Sequence, residues 1–195
     1  MPILIAIGVI TVMMAWLATK AEMTYSIAKI LPDDDTTSIQ YDEFKKRFGF
    51  DANVMVIGFE SDKLFDYQFF NDWCQIGDEI RQIQSVKNVL SIGGVYHLIR
   101  DDSLKQFKVE PLISKLPANQ AEMDSLRQEI LKLKFYKDLL ITKTSGKHYA
   151  TTMLITLDQE RIDRKDRKEL IDKISAVAGG FAEKHGIYLH YSGLP

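Results

Sequence analysis

Asn53-Val54-Met55-Val56-Ile57-Gly58-Phe59 is the stretch on which the fold turns. An apolar run of this length, polar or turn-forming at both ends, reads as a strand covered on both faces. The residues after it change period. Phe69, Trp73, Ile76, Ile80 and Ile83 recur three and four apart, which predicts an amphipathic helix over 66–83. Val86-Lys87-Asn88-Val89-Leu90-Ser91-Ile92, closed by Gly93-Gly94, supplies a second strand. Strand, helix and strand make one β-α-β unit.

The same pattern returns later in the chain. Tyr149 to Leu157 alternates, with Met153, Ile155 and Leu157 set against Thr152, Leu154 and Thr156. Residues 163–184 follow with helical spacing, Leu170, Ile174, Val177 and Phe181 on one face and Gly186 at the C-cap. Ile187 to Tyr191 alternates again as a strand. Two β-α-β units of similar length predict an α+β fold, a ferredoxin-like split β-α-β sheet with both helices on one side. Between them, 95–147 is polar and mixed, with one good helix carrying Met123, Leu126, Ile130 and Leu133. That is too long for a structureless loop, so it reads as an inserted segment or small subdomain.

Upstream, residues 1–19 carry no charged side chain, and charges begin at Lys20. The run is close to the length of a helix crossing a bilayer, with Trp16 placed as an interfacial anchor. A secretory signal is disfavoured, since nothing basic precedes the run and Ala15-Trp16-Leu17-Ala18-Thr19-Lys20 is a poor cleavage site. The expectation is an N-terminal transmembrane helix at 1–19, an extended lead-in with a short helix at 20–52, then units at 53–94, 95–147 and 148–195. In the lead-in, Tyr41, Phe44 and Phe48 would line one helix face closing at Gly49.

Composition excludes several classes. The net charge of −2 gives no footprint for nucleic acid. A single cysteine, Cys74, allows no internal disulfide or zinc-type cluster and reads as a structural thiol in the helix beside Trp73. His97, His148, His185 and His190 share no metal-ligand spacing, although strand neighbours His148 and His190 are placed to approach each other. Asp33, Asp34 and Asp35 suit a hard cation, but they suit a helix N-terminus better. Neither Gly93-Gly94 nor Gly179-Gly180 fits a phosphate loop, the second pair interrupting a helix. No serine sits in a nucleophile elbow. The sequence therefore points to no catalytic residue, cofactor or metal. Phe69, Phe70 and Trp73, with Tyr67, are weak candidates to line a hydrophobic substrate channel, core packing being the simpler reading. Lys132, Lys134, Lys137, Lys143 and Lys147 make the insertion locally basic, a solvated face or a contact for anionic headgroups.

Lys29-Ile30-Leu31-Pro32-Asp33-Asp34-Asp35, then Phe44-Lys45-Lys46-Arg47-Phe48-Gly49, then Val86-Lys87-Asn88-Val89-Leu90, with Gly193-Leu194-Pro195 at the close, follow one another at family-like distances. The arrangement resembles the first membrane helix and first extracytoplasmic loop of resistance-nodulation-division (RND) exporters, especially the MMPL-like, hydrophobe-exporting branch. The resemblance covers essentially the whole chain. It implies a non-enzymatic porter domain of a proton-driven transporter in the bacterial inner membrane, with residues from about 20 onward in the periplasm. It also implies a second porter domain and further membrane helices as partners, a hydrophobic or lipid-like cargo, and an oligomer in the full-length form. Proton-coupling acids would lie in helices outside these residues, and the basic cytoplasmic flank usual for the first helix is missing here. An extracytoplasmic ligand-sensing domain of a membrane-anchored receptor is the rival reading.

Overall fold

A computed structural model describes residues 2–20, 32, 35–48, 53–101, 106–158, 162 and 167–193. The chain is α+β. In order it forms α1 (Pro2–Ala18), α2 (Thr36–Phe48), β1 (Val54–Ser61), α3 (Tyr67–Arg81), β2 (Val86–Leu90), a 3-10 turn (Ile92–Gly94), β3 (Tyr96–Asp101), β4 (Gln106–Pro111), α4 (Gln120–Lys132), β5 (Ile141–Lys143), β6 (Tyr149–Leu157), α5 (Arg167–His185) and β7 (His190–Gly193). The expected lead-in over 21–31 and the helix stop at Gly49 lie outside the described residues, as do Asp33, Asp34, Leu194 and Pro195.

The main sheet runs β2-β6-β1-β7, every neighbouring pair antiparallel, with β5 beside the first half of β6. Each β-α-β unit therefore joins two parallel strands that hold a strand of the other unit between them. Asn53 sets the register of the central pair. Its backbone oxygen accepts from Leu157 N–H at 2.8 Å, and its side-chain amide donates to Leu157 O at 2.8 Å.

One face of this sheet is the core. Met55, Ile57 and Phe59 of β1 and Met153, Ile155 and Leu157 of β6 are buried there. Phe59 meets Phe69 at 5.5 Å and Trp73 at 4.8 Å on α3, and Phe181 at 5.8 Å on α5. Both helices thus lie on the same side. The two contacts to α3 are edge-to-face, a geometry that adds about 0.5–1.5 kcal/mol each beyond the area buried. The expectation that β1 is covered on both faces needs correction. Val54, Val56 and Gly58 alternate with the buried positions and are only half-buried, because both helices are spent on one side of the sheet.

The helices end where their chemistry says they should. In α5 the Gly186 φ of +62° lets Ile187 N–H reach Ala182 O at 3.1 Å and Gly186 N–H reach Glu183 O at 3.4 Å, the double bond pattern that closes a helix on glycine. Gly179-Gly180, expected to interrupt this helix, is carried through it. Neighbouring Ala178 and Phe181 are buried, and that packing outweighs the weak propensity of glycine.

The inserted segment is structured. Asn119 caps α4 by accepting from Glu122 N–H at 3.0 Å, and the Glu122 carboxylate accepts from Ala118 N–H at 2.9 Å. Gln120 fastens α4 to the start of α3, accepting from Tyr67 N–H at 3.1 Å and donating to Phe65 O at 2.9 Å. Met123 and Ile130 are buried, with Leu126 and Leu133 packed against the core. The segment also holds an antiparallel hairpin, β3–β4, within the stretch whose sequence is mixed and polar.

The bilayer-spanning helix expected over 1–19 is corrected to a shorter element. Among the described residues no helix is long and apolar enough to cross a membrane. Regular helix stops at Ala18, where Lys20 N–H bonds Leu17 O at 3.0 Å and the Thr19 hydroxyl donates to Trp16 O at 2.7 Å. Its 17 residues extend about 25 Å, against roughly 30 Å of bilayer hydrocarbon.

Candidate functional surface

The residues singled out for chemistry are dispersed by the fold. Phe69, Phe70 and Trp73 sit in the core beneath the sheet, 3 %, 0 % and 0 % exposed. Cys74 is buried beside them, and burial pushes its thiol up to about 12, with Asp78 nearby adding to the effect. A thiol so protonated is inert at neutral pH. His148 Nδ1 stands 3.9 Å from Glu60, His190 packs edge-on against Tyr188 at 4.8 Å, and His185 lies between α3 and α5. Among the described residues no three histidine, cysteine or acidic side chains converge as a metal site would require. Asp35 does cap α2, its carboxylate accepting from Thr37 N–H at 2.8 Å. That bond, followed by one from the Thr37 side chain, holds the carboxyl below its usual value.

One polar cluster was not singled out in the sequence. Asp72 of α3 faces α5 and is three-quarters buried. Its Oδ2 is 2.7 Å from Lys184 Nζ and 2.7 Å from His185 Nε2. The His185 ring packs on Phe69 at 4.5 Å and Phe181 at 4.7 Å. Burial alone would raise the Asp72 carboxyl. The hydrogen bonds from Lys184 and His185 outweigh it and hold the group below its usual value. The cluster joins two helices. Lys184 keeps most of its side chain in solvent, while the His185 ring is largely enclosed.

What stands out on the surface is apolar. No residue of α1 is buried, and Ile3, Leu4, Val12, Met14 and Trp16 are each more than half exposed. The one polar side chain within the helix, Thr11, hides its hydroxyl by donating to Ile7 O at 2.9 Å. At the end of the run, Lys20 Nζ sits 4.1 Å from the centre of the Trp16 ring. The arrangement suits an apolar surrounding with a polar border.

A second apolar surface lies on the hairpin. Its register pairs Leu98 with Val109, Arg100 with Phe107 and Tyr96 with Pro111, so these six share one face. Tyr96, Leu98, Phe107 and Val109 are 53 %, 68 %, 71 % and 65 % exposed. The opposite face pairs His97 with Glu110 and Ile99 with Lys108. The base of the ribbon is firmly rooted. Ile92 and Val95 are buried, Leu112 N–H bonds Val95 O at 3.0 Å, and Tyr96 N–H reaches the Tyr136 hydroxyl at 3.4 Å. The alternation Tyr96, Leu98 and Phe107, Val109 was present in the sequence as a strand signal. Nothing in it told that this face would be left uncovered.

Comparison of the chain with models of protein families, with curated proteins and with solved structures finds no match. The class that the fold itself defines is an α+β domain with interleaved β-α-β units and two exposed apolar surfaces.

Proposed function

We propose that the chain is an extracytoplasmic porter domain of an RND-type, MMPL-like exporter, helping hydrophobic or amphiphilic molecules leave a bacterial inner membrane. The observation that carries this reading is α1, an apolar helix without one buried residue, joined to a domain with a well-formed core. Such a helix in water would expose far more apolar surface than single proteins tolerate, so an apolar phase is its natural surrounding. The reading places α1 in the membrane without requiring its 17 residues to reach both faces alone. The strand order β7-β1-β6-β2 with both helices on one face supports a ferredoxin-like porter subdomain. The role is mechanical and binding, not covalent. The proton-driven membrane helices, a second porter domain and an oligomeric partner belong to the same proposal.

The test is export in cells. Replacing residues 53–193 by a short flexible linker in the membrane protein that carries them should abolish efflux of a hydrophobic dye while membrane insertion persists. Efflux that survives the replacement overturns the porter reading. Loss of a ligand-triggered response with efflux intact would point instead to a sensing domain.

A further inference from the structure

We infer that the β3–β4 hairpin, with the Lys134–Lys137 turn at its base, is a docking surface for an anionic lipid bilayer interface. An isolated two-stranded ribbon is at best marginally stable in water, and this one also presents Leu98, Phe107, Val109 and Tyr96 on a single uncovered face. A cover is therefore expected, and its size and charge identify it. The four side chains expose on the order of 500 Å², near the upper end of what a monomer leaves bare. A stable protein dimer needs about 800 Å² from each partner. The patch is too small for that and well suited to shallow insertion into an interface.

The charge beside it agrees. Tyr136, whose hydroxyl meets Tyr96 N–H, is flanked by Phe135, packed edge-on at 5.1 Å and 80 % exposed. On either side stand Lys134 and Lys137, both exposed and without an ion pair among the described residues. Aromatic rings between exposed lysines next to an apolar ribbon are the combination that an acyl-headgroup boundary with negative charge accommodates. The inference goes beyond the transport reading and takes from it only the placement of α1 in a bilayer, which flotation of the vesicles with each variant checks separately from the hairpin readout.

The experiment uses the full chain in vesicles, where α1 holds every variant at the membrane and the readout is local to the hairpin. An environment-sensitive fluorophore is attached at Leu98→Cys, at Val109→Cys or, on the opposite face, at Glu110→Cys. Buried Cys74 stays unlabelled in the folded protein. In phosphatidylcholine vesicles with about one quarter phosphatidylglycerol, lipids brominated on their acyl chains should quench the probes at 98 and 109 several-fold more than the probe at 110. Lys134→Glu with Lys137→Glu should lower insertion by roughly tenfold or more, and pure phosphatidylcholine should act in the same direction. Equal quenching on both faces, or none, overturns the proposal. So does a blue shift at 98 that grows with protein concentration in the absence of added lipid, which would make the occupant a second copy. Quenching undiminished by the charge reversal overturns the anionic assignment.

Discussion

Trp73 concentrates the energetics of this core at one position. It is fully buried, touches Phe59 and Phe181, and leaves its indole N–H without a hydrogen-bond partner among the described residues. Trp73→Ala should destabilise the fold by about 3–5 kcal/mol. Trp73→Phe should cost well under half of that, because most of the ring volume stays and the lost N–H made no bond. Urea denaturation of the two variants checks the ordering, and equal losses would mean that the indole nitrogen has a partner. Asp72 gives the pH dependence. Its folded carboxyl is held below the ordinary value by Lys184 and His185, against the upward push of burial. Its stabilising contribution is therefore complete above the unfolded pKa near 3.8 and is lost as pH falls through the lower folded value. Asp72→Asn should cost about 1–2 kcal/mol at pH 7 and should flatten the loss of stability seen in the parent protein between neutral and strongly acidic pH. Parallel pH profiles for the two proteins would contradict this.

Among the elements, the contact of the 3-10 turn with α3 leaves little room. A Cβ on Gly93 would stand 2.6 Å from Cys74 Sγ and 3.1 Å from its Cβ, closer than the buried Cys74 side chain can accept without a shift. Gly93→Ala should therefore destabilise by about 1–3 kcal/mol through overpacking. Gly93→Ala with Cys74→Ala should recover part of that loss, as thermal melts of the single and double variants would show. The elements themselves were unevenly legible in the sequence. β6 and α3 were readable because their periods of two and 3.6 match their buried sides: Met153, Ile155 and Leu157 in the strand, Phe69, Trp73, Ile76 and Ile80 in the helix. β1 was readable as a strand but not in its environment, since an unbroken apolar run cannot tell which face the helices will leave open. The hairpin escaped because lysine, glutamate and arginine between Tyr96 and Pro111 made the stretch look polar overall, although its apolar residues alternate. The site candidates followed the same logic. Helical spacing placed Phe69 and Trp73 in the core, whereas the exposed face of β3–β4 depends on what fails to pack against it, which no local pattern records.

At the scale of the whole molecule, the apolar helix α1 and the folded body should behave as separable parts. None of the residues of α1 is buried, so it adds nothing to the core that the sheet and its helices form. A protein beginning near Glu22 should remain folded and monodisperse in plain buffer. The full chain should require detergent or aggregate, since each exposed Leu, Ile, Phe or Val favours an apolar phase by about 0.3–0.6 kcal/mol. Size-exclusion chromatography of the two proteins decides it, and identical monodisperse behaviour would show that α1 folds back as a core helix. The pairing of Met55 with Gly193 carries a mechanical consequence. The chain enters the sheet at Val54 and leaves it at Gly193, and these two points are strand neighbours. A load applied through both ends therefore acts at one corner of the body, as on a lever fixed to a single pivot. It would swing the sheet and its helices as a rigid arm, and it would unzip β7 from β1 only when the two ends were pulled apart.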